Sequence, residues 1–121
     1  MFDFEKLIVY QKARDFNKKI QKLLIEKKIN IFVRDQLYRA SVSIVINIAE
    51  GTGKFSKNDR KNFYVISRGS VFECASLLEI LYDENVINLK ELDSFKSDLE
   101  QVSRLLSGLI NSLLSKEIVR R

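Results

Sequence analysis

Gln36-Leu37-Tyr38-Arg39-Ala40-Ser41-Val42-Ser43-Ile44-Val45-Ile46-Asn47-Ile48-Ala49-Glu50-Gly51 decides how this chain is read. The segment is apolar almost all the way round a helix, with Arg39, Asn47 and Glu50 interrupting it. A helix of that kind is buried on several sides. Polar groups held there need partners, or each costs about 1–3 kcal/mol. The segment therefore predicts an internal helix touching several neighbours, with polar residues that fix a register or an interface.

Helical periodicity continues on both sides. Val9, Ala13, Phe16, Ile20 and Leu23 recur at three- and four-residue steps and predict a first helix from about Glu5 to Lys27. Lys28-Ile29-Asn30 is a short break, and helix two spans Ile31 to Gly51 with Val33, Leu37, Ala40, Ile44 and Ile48 on one face. Gly51-Thr52-Gly53 supplies a stop. Ser56 followed by Asp59 resembles a capping box that opens helix three, which carries Phe63, Ile66, Ser70, Cys74, Leu77 and Leu81 to about Glu84. Asn88 with Glu91 opens helix four. There Leu92, Phe95, Leu99, Val102, Leu106, Leu109 and Leu113 form an unbroken heptad seam, the geometry of helices crossing at about +20°.

Long helices joined by short loops run antiparallel to their sequence neighbours. The fold class is all-α: an antiparallel up-down-up-down four-helix bundle forming a single domain over residues 1–121. A pair of helical hairpins that completes its core only in an oligomer is the alternative. Gly69 on helix three and Gly108 on helix four fall near one level and predict a tight crossing of those helices. Phe16, Phe63, Phe72 and Phe95 occupy expected core positions.

Composition narrows the chemistry. The chain has no histidine and one cysteine, Cys74, which rules out an internal disulfide and the common zinc patterns. The commonest general base and the Ser-His and Cys-His nucleophile pairs are missing too. Cys74 reads as a buried inert thiol. No catalytic, metal-ligating or cofactor-binding residue is identified, and no cofactor is expected. No apolar run reaches the ~18 residues of a membrane span, and the N-terminus lacks a signal-peptide core, so cytoplasmic residence is the expectation.

The sequence resembles a known family at three places: Leu7-Ile8-Val9-Tyr10-Gln11-Lys12-Ala13; Gln36 to Ile44 with Asn47-Ile48-Ala49-Glu50-Gly51; and Arg68-Gly69-Ser70 with Glu73. With the leucine-rich fourth helix, these resemble the four-helix-bundle proteins encoded in intervening sequences of bacterial 23S ribosomal RNA genes. Coverage runs from Leu7 to Leu114. The resemblance implies an up-down bundle, a homo-oligomer (a pentamer) and no known enzymatic activity. Related bundles include the accessory protein of diversity-generating retroelements, a basic pentamer that binds nucleic acid and a reverse transcriptase. This chain is less basic than those accessory proteins.

Two groups of side chains stand out as candidate sites. Arg39, Asn47, Glu50, Arg68 and Glu73 interrupt the two most apolar helices. An antiparallel hairpin places Arg39 within a turn of Glu73, and Glu50 near Arg60. They either pair within the chain, which fixes register at little net gain, or pair across a subunit interface. Asn47 is expected to hydrogen-bond within the bundle or between subunits.

The second group is basic. Net charge is +5, from 21 basic and 16 acidic residues, and residues 1–28 hold eight basic and four acidic side chains. Arg14, Lys18 and Lys22 follow at i, i+4 spacing, where like charges cost about 0.2–0.5 kcal/mol per pair. They form either a solvated face or a stripe facing a polyanion. Up-down topology gathers Lys54, Lys57, Arg60, Lys61, Lys116, Arg120 and Arg121 at one pole and Asp83, Glu84, Glu91 and Asp93 at the other. A basic rim of this kind binds RNA or DNA phosphates with little sequence preference. A protein-interaction scaffold, whose charges serve only solubility, is the competing reading.

Overall fold

The computed structural model describes residues 1–119, with side chains as far as Leu114. A short 3-10 helix, Asp3–Lys6, leads into four α-helices: α1 Ile8–Glu26, α2 Ile31–Thr52, α3 Lys57–Asp83 and α4 Leu89–Val119. Each helix packs on its sequence neighbours, and α1 closes the ring against α4, with no diagonal pairing. That is the up-down-up-down bundle. The α2–α3 seam is the most extensive and α1–α4 the slenderest.

The helix ends explain the bounds. The first helix begins later than its periodicity suggests, because Leu7 is extended (φ −74°, ψ 130°) and separates the 3-10 turn from α1. That turn is held by the Phe2 N–H donating to Glu5 Oε2 and by Phe4 packing edge-on against Tyr10. Asn30 caps α2 by accepting from the Phe32 N–H, and Ser56 caps α3 by accepting from the Asp59 N–H. At α4 the box is complete: Asn88 Oδ1 accepts from Glu91 N–H, and Glu91 Oε1 accepts from Asn88 N–H.

The end of α3 carries no glycine. Asn85 takes the left-handed conformation there (φ 62°). Its N–H reaches the Tyr82 carbonyl and the Val86 N–H reaches Leu81, the double bond pattern of a Schellman turn.

The core is a single cluster drawn from all four helices. It includes the five-residue face Val33, Leu37, Ala40, Ile44 and Ile48 of α2 and the α4 seam from Leu92 to Leu106. Leu109 and Leu113 continue the seam as partly buried contacts. Phe16 meets Phe95 edge-to-face across α1 and α4 at 6.3 Å. Buried hydroxyls key the helices together. Ser67 Oγ donates to the Ile44 carbonyl at 2.8 Å, Ser70 Oγ bonds Ser43 Oγ at 2.8 Å, and Asn17 Nδ2 donates to Ser41 Oγ at 3.0 Å.

Three expectations fail in instructive ways. α2 is not an internal helix in the single chain: among the described residues it touches only α1, α3 and the 3-10 turn, leaving Tyr38 and Ile46 about half exposed. Phe72 and Ile66 are not core residues but 54% and 52% exposed. Gly69 and Gly108 make no close crossing, since a Cβ added at either would meet nothing within 4 Å. The glycine that does permit close approach is Gly51. It is buried inside α2, and a Cβ there would come within 2.9 Å of the Tyr64 ring and 3.0 Å of Phe63 Cβ.

Candidate nucleic-acid and assembly surfaces

The α2–α3 turn carries four of the basic residues singled out above, and the structure divides their labour. Arg60 Nε donates to the Lys54 carbonyl at 2.6 Å, closing the turn, so much of this guanidinium is structurally engaged. Lys54 Nζ lies over the Phe63 ring, 5.0 Å from its centroid. Lys57 Nζ is buried and has no hydrogen-bond partner among the described residues, although the residue as a whole is only half-buried. Lys61 is half-buried. Among the described residues no carboxylate lies within ion-pairing distance of these four cations.

Lys116, Arg120 and Arg121, which the sequence adds to this pole, lie outside the residues whose side chains are described. The opposite pole is less acidic than the four carboxylates alone suggest, because Lys27, Lys28 and Lys90 stand in the same turns.

On α1, Arg14 and Lys18 are exposed and free of carboxylate partners, whereas Lys22 approaches Glu26 at 3.9 Å. Arg14 and Lys18 form one wall of a surface groove of about 330 Å³ with Asn17 and Gln21. Val42, Val45 and Ile46 of α2 form the other wall. The stripe is thus continuous with uncovered apolar surface, a feature that charge counting alone does not reveal.

Among the described residues the charged motif residues form no ion pairs. Arg39, Glu50 and Glu73 are exposed, and among the described residues neither the Arg39–Glu73 nor the Glu50–Arg60 pair closes to 4 Å. Asn47 turns back on its own helix, its Nδ2 donating to the Ser43 carbonyl at 2.9 Å and to Ser43 Oγ at 3.0 Å. Arg68 lies over the exposed Phe72 ring at 4.8 Å and leaves a buried Nε without a partner. The ion pairs that form between helices among the described residues, Lys19–Asp98 and Lys96–Glu79, bridge α1 to α4 and α3 to α4, and neither is evident from the sequence.

Burial pushes the Cys74 thiol up to about 12, with a smaller contribution from Glu73. That thiol is protonated at neutral pH and a poor nucleophile. Among the described residues no three His, Cys, Asp or Glu side chains gather closely enough to hold a metal ion. None of the described helices is long and apolar enough to cross a membrane.

Comparison with known proteins agrees with this architecture. The family model of the 23S rRNA-intervening sequence protein matches residues 5–108. A solved structure of a protein of unknown function from the S23 ribosomal protein family of Bacteroides thetaiotaomicron superposes with a TM-score of 0.80 at 25% identity. The match covers 85% of this chain and 98% of that one. No curated protein is similar enough to count as a relative.

Proposed function

This chain belongs to the 23S rRNA-intervening sequence protein family, and from that premise we propose that it is a non-enzymatic homo-oligomeric bundle that binds RNA or DNA phosphates through its basic surface. The observation that carries the reading is uncompensated charge: Arg14, Lys18, Lys54, Lys57 and Lys61 have no carboxylate within 4 Å among the described residues. Positive charge not neutralised by a neighbouring carboxylate remains available to a polyanion. Each phosphate they neutralise releases counterions from the nucleic acid. A pentamer, as the family resemblance implies, would repeat the α2–α3 pole around one rim.

The test is a fluorescence-anisotropy titration with single-stranded RNA, structured ribosomal RNA fragments and duplex DNA at ~50 and ~200 mM salt. Several phosphate contacts should change affinity by orders of magnitude over that range. Submicromolar, salt-sensitive binding is expected. Absence of binding at ~50 mM salt would refute the nucleic-acid role and leave the second reading, a protein-interaction scaffold. That alternative is favoured by the apolar surface left uncovered on α2 and α3.

A further inference from the structure

The outer side of the α2–α3 seam carries a second helical stripe that the described residues leave largely uncovered. On α2 it runs Phe32, Gln36, Arg39, Ser43, Ile46, Glu50, and on α3 it runs Asn62, Ile66, Gly69, Glu73, Ser76, Ile80. Both follow the alternating four- and three-residue steps that place side chains on one face of a helix. The same periodicity serves helix-on-helix packing elsewhere in this bundle. Phe32 is 68% exposed and Ile46 48%, with Ile66 and Ile80 in a similar state. Together they leave on the order of 400 Å² of apolar surface in the open. That compares with a little over half of the roughly 800 Å² each partner contributes to a stable interface.

At the centre of the stripe the surface is low. Ser43 and Ser70 bond each other, and beside them Gly69 has only open space where a Cβ would stand. An interior glycine weakens a helix, and here nothing within the chain requires it.

We infer that this face is where a second copy of the chain docks, with Arg39 of one copy paired to Glu73 of the other. The inference rests on the homo-oligomeric part of the proposed function. Charge complementarity identifies the occupant as another copy. Arg39, Glu50 and Glu73 rim the apolar surface with both signs of charge, and none forms an ion pair among the described residues. The Ser43–Ser70 bond also fixes relative height. Arg39 lies one turn from Ser43, and Glu73 lies one turn from Ser70 toward the same pole, so the two side chains stand level. A second copy running parallel brings Arg39 opposite Glu73 without any shift along the axis. Gly69 lets the two backbones approach at the middle.

The experiment measures solution mass by sedimentation velocity and light scattering from ~1 to ~100 µM. The samples are the full chain and the variants Arg39→Glu, Glu73→Arg, the double exchanges R39E/E73R and R39E/E50R, and Gly69→Leu. Far-UV circular dichroism follows folding. The expected result is an assembled wild type, at least tenfold weaker assembly for each single charge reversal, and recovery in R39E/E73R. Gly69→Leu should keep or raise helix content while losing assembly, because a Cβ there has nothing within 4 Å and the side chain starts into open space. A wild type that stays monomeric throughout would overturn the oligomeric reading itself. An assembled wild type unaffected by these variants would overturn only the placement of the interface. Rescue of Arg39→Glu by Glu50→Arg instead of Glu73→Arg would overturn the parallel pairing.

Discussion

Replacing Gly51 and Gly108 separately by alanine should move stability in opposite directions. Both lie inside helices and neither has positive φ, so backbone preference alone favours alanine at each, by about 0.8–1.0 kcal/mol in a helix interior. At Gly108 nothing lies within 4 Å of the new methyl, so the gain is retained. At Gly51 the methyl would sit 2.9 Å from Tyr64 Cε1 and 3.0 Å from Phe63 Cβ. The Tyr64 ring is buried and its hydroxyl is bonded to Thr52 Oγ1 at 2.8 Å, and Phe63 Cβ moves only with the α3 backbone. Overpacking of that kind costs about 1–3 kcal/mol, which outweighs the smaller propensity gain of a last-turn position. Each kcal/mol shifts Tm by about 4 °C in a domain of this size. Thermal and urea unfolding at one protein concentration, followed by circular dichroism, should therefore show Gly108→Ala about 3–4 °C higher and Gly51→Ala about 2–10 °C lower than wild type. A Gly51→Ala protein as stable as its parent would refute the close α2–α3 approach on which the seam argument depends.

Other expectations follow from single contacts. Asn85→Gly should be neutral or stabilising and Asn85→Ala destabilising by about 1 kcal/mol in urea melts, since the left-handed position tolerates glycine best. Ser67→Ala should cost about 1 kcal/mol in the same melts by removing the buried hydrogen bond that joins α3 to the Ile44 carbonyl of α2. The Cys74 thiol should react with a disulfide reagent only as fast as the protein opens. Its folded value of about 12 lies above the unfolded 9.0, so its contribution to stability is complete below pH 9 and is lost as pH rises toward 12, measurable as a falling urea midpoint. Replacing Lys54, Lys57 and Lys61 together by alanine should flatten the salt dependence of RNA binding by up to about 0.7 log units per lost contact, and an unchanged slope would remove the α2–α3 pole from the interface.

The helix count, the core face of α2 and the α4 seam were legible because each rests on one repeated physical rule, apolar residues at three- and four-residue steps. The same rule misled at Ile66, Phe72 and the outer half of α2. Periodicity records that a face is made for packing but not whether the partner belongs to the same chain. Glycine carries the same ambiguity. Gly51 reads as a stop but serves close contact with Tyr64, whereas Gly69 and Gly108 read as contact residues yet face open space. Asn85 was illegible as a helix stop because an asparagine in the left-handed region has no flanking signal here. The individual roles of Arg60 and Lys54 depend on a carbonyl and a ring brought near by the turn, which charge counting does not register.

Assembly and nucleic-acid binding are physically linked, and one substitution separates them by sign. Glu73→Arg raises the net charge of each chain by two and leaves the α2–α3 pole untouched. If phosphates are bound by single chains, added positive charge strengthens binding and steepens its salt dependence. If instead several poles act together on one nucleic acid, the tethered poles act at high effective concentration, which multiplies affinity beyond any single site. Breaking the interface then weakens binding despite the extra charge. Anisotropy titrations at ~50 mM salt, at protein concentrations where wild type is assembled and the variant is not, should give weaker binding for Glu73→Arg and recovery for R39E/E73R. Tighter binding by a dissociated Glu73→Arg would assign the phosphate contacts to the individual bundle.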